Sequence, residues 1–172
     1  KNFLDSALYQ ELAGEDKSSW LVIEDLEDFE FSEAKIYVKL DFARKRNESV
    51  EIYDWKTGKP EAEESWLQMG VYSLYATQKW GVPLEKIKTY LFYVSEPSPR
   101  QLDQAVSEEV LTRTKEFMSS SISQMRALLV DPVKNIPKTS EHFLFTDNVR
   151  LCSNCNFYKI CEKYNAQKRG DS

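Results

Sequence analysis

A chain of 172 residues with 41% hydrophobic and 13% aromatic side chains is sized for one hydrophobic core and is too apolar for a disordered or fibrous protein. No apolar run approaches the roughly 20 residues that a bilayer span requires, and no basic start leads into an apolar core, so a soluble, cytoplasmic protein without membrane contact is expected. The net charge of −5 disfavours a polyanionic partner in general. The acid, however, is concentrated between Glu11 and Glu33, while Arg44, Lys45, Arg46, Lys56 and Lys59 crowd a different stretch. Net charge alone therefore does not decide the partner.

The chain begins at Lys1 rather than Met, and an upstream segment is expected. NFLDSALYQELA, residues 2–13, spaces its apolar residues as a helix does and reads as the tail of a helix that starts before the chain. WLVIEDLEDFEF predicts one strand or two. AKIYVKLDFARK alternates with a period of two, placing Ile36, Val38, Leu40 and Phe42 on one face and Tyr37, Lys39 and Asp41 on the other. Arg44 to Ser49 suits a hairpin loop, and SVEIYDWK forms the returning strand, with Val50, Ile52, Asp54 and Lys56 on one face.

A turn follows at Thr57-Gly58-Lys59-Pro60, and then EAEESWLQMGVYSLYATQKWG, the strongest helix signal in the chain. It starts acidic, as the positive end of a helix dipole favours, and stops at Gly81 before Pro83. IKTYLFYV predicts a buried strand. A polar loop around Pro97 and Pro99 leads to a long amphipathic helix from Ser107 to Leu129. The three cysteines fall at 152, 155 and 161, the spacing C-x2-C-x5-C, which suits metal ligands better than a disulfide framework. The organisation expected is a core over 1–150 and a cysteine module over 151–172.

Asp41 sits near the end of one strand of the hairpin, and Asp54 and Lys56 near the end of the next. Directly opposed pairing of Asp41 and Asp54 is not required, since a twisted or splayed pair could still bring both carboxylates to one cation. Two close carboxylates repel unless a cation neutralises them. A hard divalent ion takes one or two carboxylates together with water and substrate phosphate. Lys56, on the face of Asp54, would orient or deprotonate an attacking water. Each piece has a plainer reading. A D-x-K at a strand end is common, Asp41 alone reads as a surface carboxylate near a turn, and Gln68 four residues before Tyr72 reads as a solvated amide beside a half-buried ring. Their order along one chain is what stands out.

DFARKRNESVEIYDWKTGKPE followed by QMGVYSLYA resembles the RecB-type branch of the PD-(D/E)XK nuclease superfamily, which includes the nuclease domains of RecB and AddB and the CRISPR-associated RecB-like exonucleases. The resemblance covers residues 35–80 and again the cysteine tail. It implies an α/β fold, a central mixed sheet flanked by helices in the manner of restriction endonucleases. It also implies metal-dependent hydrolysis of DNA, with exonuclease character, in DNA repair, recombination, or CRISPR or phage processing. Residue by residue, it implies Asp41 and Asp54 as ligands of Mg2+ or Mn2+, Lys56 as the catalytic lysine, and Gln68 and Tyr72 as the signature pair that orients it and contacts DNA. It implies further that Cys152, Cys155 and Cys161 hold a 4Fe-4S cluster whose fourth cysteine lies upstream. Zn2+ completed by another ligand such as His142, or buried free thiols, are the alternatives. DNA and a helicase, repair or CRISPR protein are the partners implied. The branch's first motif, a His or Glu on an N-terminal helix, has no histidine to match before Asp41, and Glu11 is the substitute available. The competing function is a non-catalytic subsidiary subunit that binds nucleic acid or assembles a complex around a cysteine-held structural metal.

Overall fold

The computed structural model describes residues 3–58, 65–94 and 100–161. In chain order the elements are α1 (Ala7–Gly14), β1 (Trp20–Phe31), β2 (Ala34–Arg46), β3 (Ser49–Lys56), α2 (Ser65–Trp80), β4 (Ile87–Tyr93), β5 (Arg100–Asp103), α3 (Glu108–Ala127), β6 (Leu129–Asp131), β7 (Ile136–Pro137) and α4 (Val149–Ser153). They divide into two compact units, residues 1–122 and 123–172. The second unit contains the small hairpin β6–β7 and the short helix α4. No helix among the described residues is long and apolar enough to cross a membrane.

The first unit is an α/β fold built on a five-stranded sheet in the order β1-β2-β3-β4-β5. β3 and β4 run parallel, joined through α2, and the other neighbours are antiparallel, so the sheet is mixed. β3 lies in the middle and is buried on both faces. Val50 and Ile52 join Leu40, Met69, Leu74 and Leu91 beneath α2 and α3. Tyr53 joins Leu8 and Leu12 of α1 together with Phe42, Tyr90 and Phe92. Helices therefore cover both sheet faces, as a parallel pair of strands requires.

Local chemistry sets the element ends. The Ser6 hydroxyl accepts from the Tyr9 N–H and caps α1, so this helix starts within the chain and is not the tail of a longer one. Ser107 accepts from the Val110 N–H at the start of α3, whose first turn carries Glu108 and Glu109 and whose last carries Arg126. Gly81, at φ 63°, follows the last residue of α2 in the left-handed conformation that ends helices. The acidic stretch expected to open α2 lies in 59–64, outside the described residues. β1 is one strand, not two.

Three expectations are corrected. The loop from Arg44 to Ser49 is a tight turn at Asn47-Glu48, because β2 runs through Arg46 and Asn47 tolerates a φ of 56°. Arg44 is consequently a strand residue with no exposed surface. Second, the even residues of β2 do not all share a face: Ile36, Val38 and Leu40 belong to the α2 side, whereas Phe42 packs on the α1 side and Ala43 returns to the α2 side. The alternation slips at Asp41. Third, β5 and the β6–β7 hairpin appear where only loop and helix end were expected; β5 is a short edge strand on β4.

Arg44 is tied at every nitrogen. Its Nε donates to Glu51 Oε2 at 2.9 Å, Nη1 to Glu15 Oε2 at 3.0 Å and Nη2 to Glu11 Oε1 at 2.8 Å. Burial works against its charge, but Glu15, Tyr53 and Glu51 more than offset this and raise its pKa. The basic crowding read near Asp54 is thus consumed in part by carboxylates, since Arg46 also pairs with Glu11 at 3.1 Å. The pairs fasten α1 to the hairpin. Arg44→Met leaves Glu51, only 3% exposed, without its main partner, and should cost about 3–5 kcal/mol in urea unfolding. The double variant Arg44→Met/Glu51→Leu should recover most of that loss, and strict additivity of the two single changes would refute the coupling.

Gly70 of α2 meets Thr114 of α3, where an added Cβ would collide with the Thr114 hydroxyl oxygen. Gly70→Ala should therefore cost about 1–3 kcal/mol through overpacking. Gly14→Ala, where a Cβ meets nothing within 4 Å, is the control. Equal losses in thermal unfolding at both positions would contradict the close-packing account.

Candidate active site

β3 carries Asp54 and Lys56 on the face covered by α2 and Trp55 on the face covered by α1, as its period of two dictates. The last ladder pair between β2 and β3 in this direction is Phe42 with Tyr53. Beyond it the strands part. The next free amide of β3, Trp55 N–H, donates instead to Asp41 Oδ2 at 2.8 Å. Asp41 thereby occupies the gap that a splayed hairpin opens, and its carboxylate comes into electrostatic range of Asp54. On the other side β3 stays paired with β4, whose Val94 N–H donates to the Lys56 carbonyl at 2.9 Å.

Four side chains form a connected polar chain around Asp54. Lys56 Nζ lies 2.6 Å from Asp54 Oδ2 and donates to Gln68 Oε1 at 3.0 Å. Gln68 Nε2 donates to Asp54 Oδ1 at 2.6 Å and to the Tyr72 hydroxyl at 2.8 Å. Tyr72 in turn donates to the Lys39 carbonyl at 2.8 Å, which fastens α2 to β2. The donors run in one direction, and this fixes the Gln68 amide: flipped, its NH2 would face the Lys56 ammonium. Burial, then the charges of Asp54 and Asp41, raise the Tyr72 pKa well above the ordinary phenol, so it remains a neutral donor.

The two carboxylates differ in environment. Asp54 is 4% exposed, and its Oδ2 makes no directed hydrogen bond; only the nearby Lys56 charge offsets it. Asp41 has its pKa raised, chiefly by burial and further by Asp54 and Glu24, against the lowering effect of the Trp55 N–H and of Lys56. A buried oxygen met only by a lysine ammonium, beside a carboxylate that resists ionisation, is a donor set that a hard cation would relieve. Asp41 and Asp54 fit Mg2+ or Mn2+ with the remaining positions left to water and substrate. Among the described residues no three His, Cys, Asp or Glu side chains already converge as a complete ligand set.

The structure brings Asp41, Asp54, Lys56, Gln68 and Tyr72 together. It does not bring Glu11 to them, because its carboxylate is held by Arg44 and Arg46. Sequence reasoning overlooked Glu24, an exposed residue at φ 51° that lines a cleft together with Asp41. A left-handed glutamate inside a strand leaves no mark on apolar periodicity. In the second unit, Cys152, Cys155 and Cys161 are free, half-buried thiols along successive turns, the Phe157 N–H donating to Cys155 Sγ at 3.4 Å. His142 lies at the surface, its Nδ1 3.2 Å from the Thr139 hydroxyl. The described positions of these residues do not assemble a cluster or zinc site.

Comparisons with known proteins add the family. No curated protein matches the chain. The solved structure of SSO0001 superposes with a TM-score of 0.47 at 15% identity, covering 91% of this chain and 66% of that one. A likeness at that level bears on neither fold nor function. The chain spans about two thirds of the length of SSO0001. The family model described as the PD-(D/E)XK nuclease superfamily matches residues 2–162, and with nearly the whole chain covered, this protein belongs to the PD-(D/E)XK nuclease superfamily.

Proposed function

We propose that the protein is a nuclease that hydrolyses DNA phosphodiester bonds with Mg2+ or Mn2+, acting as an exonuclease of the RecB type in repair, recombination, or CRISPR or phage processing. The observation that carries this reading is the closed polar chain from Lys56 through Gln68 and Asp54 to Tyr72, set beside Asp41 in the gap between β2 and β3. Asp41 and Asp54 are the residues that would hold the ion. Bound there, a divalent cation supplies Lewis-acid polarisation of the phosphate and a more acidic water.

The chain's own residues do the rest. Lys56 is held by two partners, Asp54 and Gln68, and is only about a third exposed. Its ammonium is placed to orient the attacking water and to offset the negative charge that grows on the phosphate as the bond to the leaving oxygen breaks. Gln68 sets the distance between the lysine and the carboxylate, and Tyr72 holds Gln68. Asp41, restrained by the Trp55 amide, keeps its position without needing a partner on the substrate. For Cys152, Cys155 and Cys161 an iron-sulfur role rests on the resemblance to the RecB-type branch and the spacing C-x2-C-x5-C, and visible absorbance of the purified protein tests it.

Asp54→Ala and Lys56→Ala should each lower Mn2+-dependent degradation of labelled DNA by about a hundredfold or more, with circular dichroism unchanged. Parental rates in either variant would refute the assigned roles and leave the binding-subunit reading.

The raised Asp41 pKa means that the folded state holds this proton more tightly than the unfolded chain, whose carboxyl titrates near 3.8. Stability is therefore lost as pH rises through the window above that value, and the ionised carboxylate burdens the fold at neutral pH. In chelator at neutral pH, Asp41→Asn should melt higher than the parent, with the difference shrinking as the pH falls toward that window. Mn2+ should raise the melting temperature of the parent more than that of the variant. An unchanged ranking with and without Mn2+ would remove Asp41 from the ion's ligands.

A further inference from the structure

α2 lies across the sheet, held by four side chains on one of its faces. Ser65 reaches Gln104, the residue after β5, and Gln68 reaches Lys56 and Asp54 of β3. Tyr72 reaches the Lys39 carbonyl of β2, and the Tyr75 ring meets Phe29 of β1 at a centroid distance of 6.2 Å. Spacings of three, four and three keep these side chains on a single helix face. The helix is therefore fastened toward both edges of the sheet, with Gln68 between the fastenings.

The fastening beside β5 has a rigid base. The Gln104 N–H donates to the Thr89 carbonyl at 2.9 Å, and the Thr89 hydroxyl donates back to the Gln104 carbonyl. Thr89 belongs to β4, is 1% exposed, and stands beside Ile52 of β3 in the parallel ladder. With its backbone held at both polar groups, Gln104 accepts at Oε1 from the Ser65 hydroxyl at 3.1 Å. Ser65 is buried, so a lost acceptor there is not simply replaced by water. The ties form a closed circuit: from β3 through Thr89 of β4 to Gln104, across to Ser65, along α2 to Gln68, and back to Lys56 and Asp54 of β3.

Gln68 is the residue that needs such a circuit. It stands in the first turn of α2, the part of a helix with the fewest internal bonds and the first to open. Its amide must nevertheless meet an ammonium, a carboxylate and a phenol at 3.0, 2.6 and 2.8 Å. A displacement of about 1 Å would break such contacts. Tyr72 restrains Gln68 from one turn later, and the Ser65 to Gln104 bond restrains it from one turn earlier.

We propose that Gln104 is a positioning residue for the cleavage reaction: through Ser65 it sets where α2 begins over the sheet, and so holds Gln68 against Lys56 and Asp54. Gln104 acts through the helix and not on the phosphate. The proposal rests on the nuclease reading for what Lys56 does, but not for where Gln68 stands.

The test pairs cleavage by the full chain with a spectroscopic readout. Gln104→Leu keeps the bulk of the side chain and removes the acceptor. It should lower kcat for Mn2+-dependent cleavage of labelled DNA by about threefold to thirtyfold with KM little changed, the range of coupling between side chains in contact. Gln104→Glu, which still accepts from Ser65, should restore the parental kcat. In a Gln68→Ala background the same Gln104→Leu change should cost nothing further, whereas a change that merely loosened the fold would slow both backgrounds alike. In 1H–15N spectra the Gln68 side-chain NH2 signals, assigned by their loss in Gln68→Ala, should move toward free-amide positions in Gln104→Leu and stay in place in Gln104→Glu. These signals decide the matter where Gln68→Ala cuts too slowly to measure. Ser65→Ala serves if Gln104→Leu does not fold, with Ser65→Thr as its rescue. Shifted signals in a parent that cuts no DNA would uphold the hold on Gln68 and sink the nuclease reading alone. Unmoved Gln68 signals, an unchanged kcat in an active parent, equal losses in both backgrounds, or a loss confined to KM would overturn the proposal.

Discussion

Past the Phe42–Tyr53 pair, the backbone of β3 offers its next amide, that of Trp55, to a side chain instead of a strand. A central strand that leaves an amide unpaired loses about as much as a missing hydrogen bond costs, so the gap between β2 and β3 is tolerable only because Asp41 fills it. The same substitution shifts the alternation of β2, sends Phe42 to the α1 side, and draws a carboxylate toward a second carboxylate. Glu24 of the neighbouring strand sits in the left-handed conformation in the same region. One parting of two strands thus accounts for the acidic pair, the slipped faces and the cleft beside them.

The other end of the hairpin is governed by the opposite sign. Arg44 and Arg46 bind three glutamates from α1, β3 and the segment between α1 and β1. Their effect is positional. α1 carries Leu8 and Leu12 into the aromatic cluster that includes Phe42 and Tyr53, and Glu11 and Glu15 hold that helix in register with the sheet. Positive charge that looked available for DNA in the linear sequence is spent on keeping one wall of the cleft in place.

Much of this was readable from the chain, for identifiable reasons. β3, β4, α2 and α3 are long, strongly patterned segments, and their periodicity survives in the fold. A strand period and a helix period each place two of Asp54, Lys56, Gln68 and Tyr72 on one face, but that the two pairs meet was implied only by the resemblance to RecB-type nucleases. The slip of β2 was not legible, since it depends on where a neighbouring strand stops pairing, which no local pattern encodes. Arg44 misled for a related reason: a polar run before a turn reads as loop, and only the tertiary arrangement of Glu11, Glu15 and Glu51 makes a buried arginine affordable. β5 is four residues of edge strand after a proline-rich stretch, and its pairing with β4 comes from the neighbour and not from its own sequence.

The choice of residue at position 68 shows how tightly the chemistry constrains the site. The side chain there must accept from a lysine while donating to a carboxylate and to a phenol, and only an amide carries both functions on one planar group. A glutamate would place a third negative charge against Asp54. An asparagine, one methylene shorter, could not span from α2 to both Lys56 and Asp54. Tyr72 then removes the remaining freedom, because its hydroxyl, already donating to the Lys39 carbonyl, can only accept from Gln68. The lysine is consequently held from the helix by Gln68 as well as by Asp54 of its own strand. Were a cation to take up Asp54 Oδ2, now 2.6 Å from the lysine, the Gln68 contact would still hold Lys56 from the helix side.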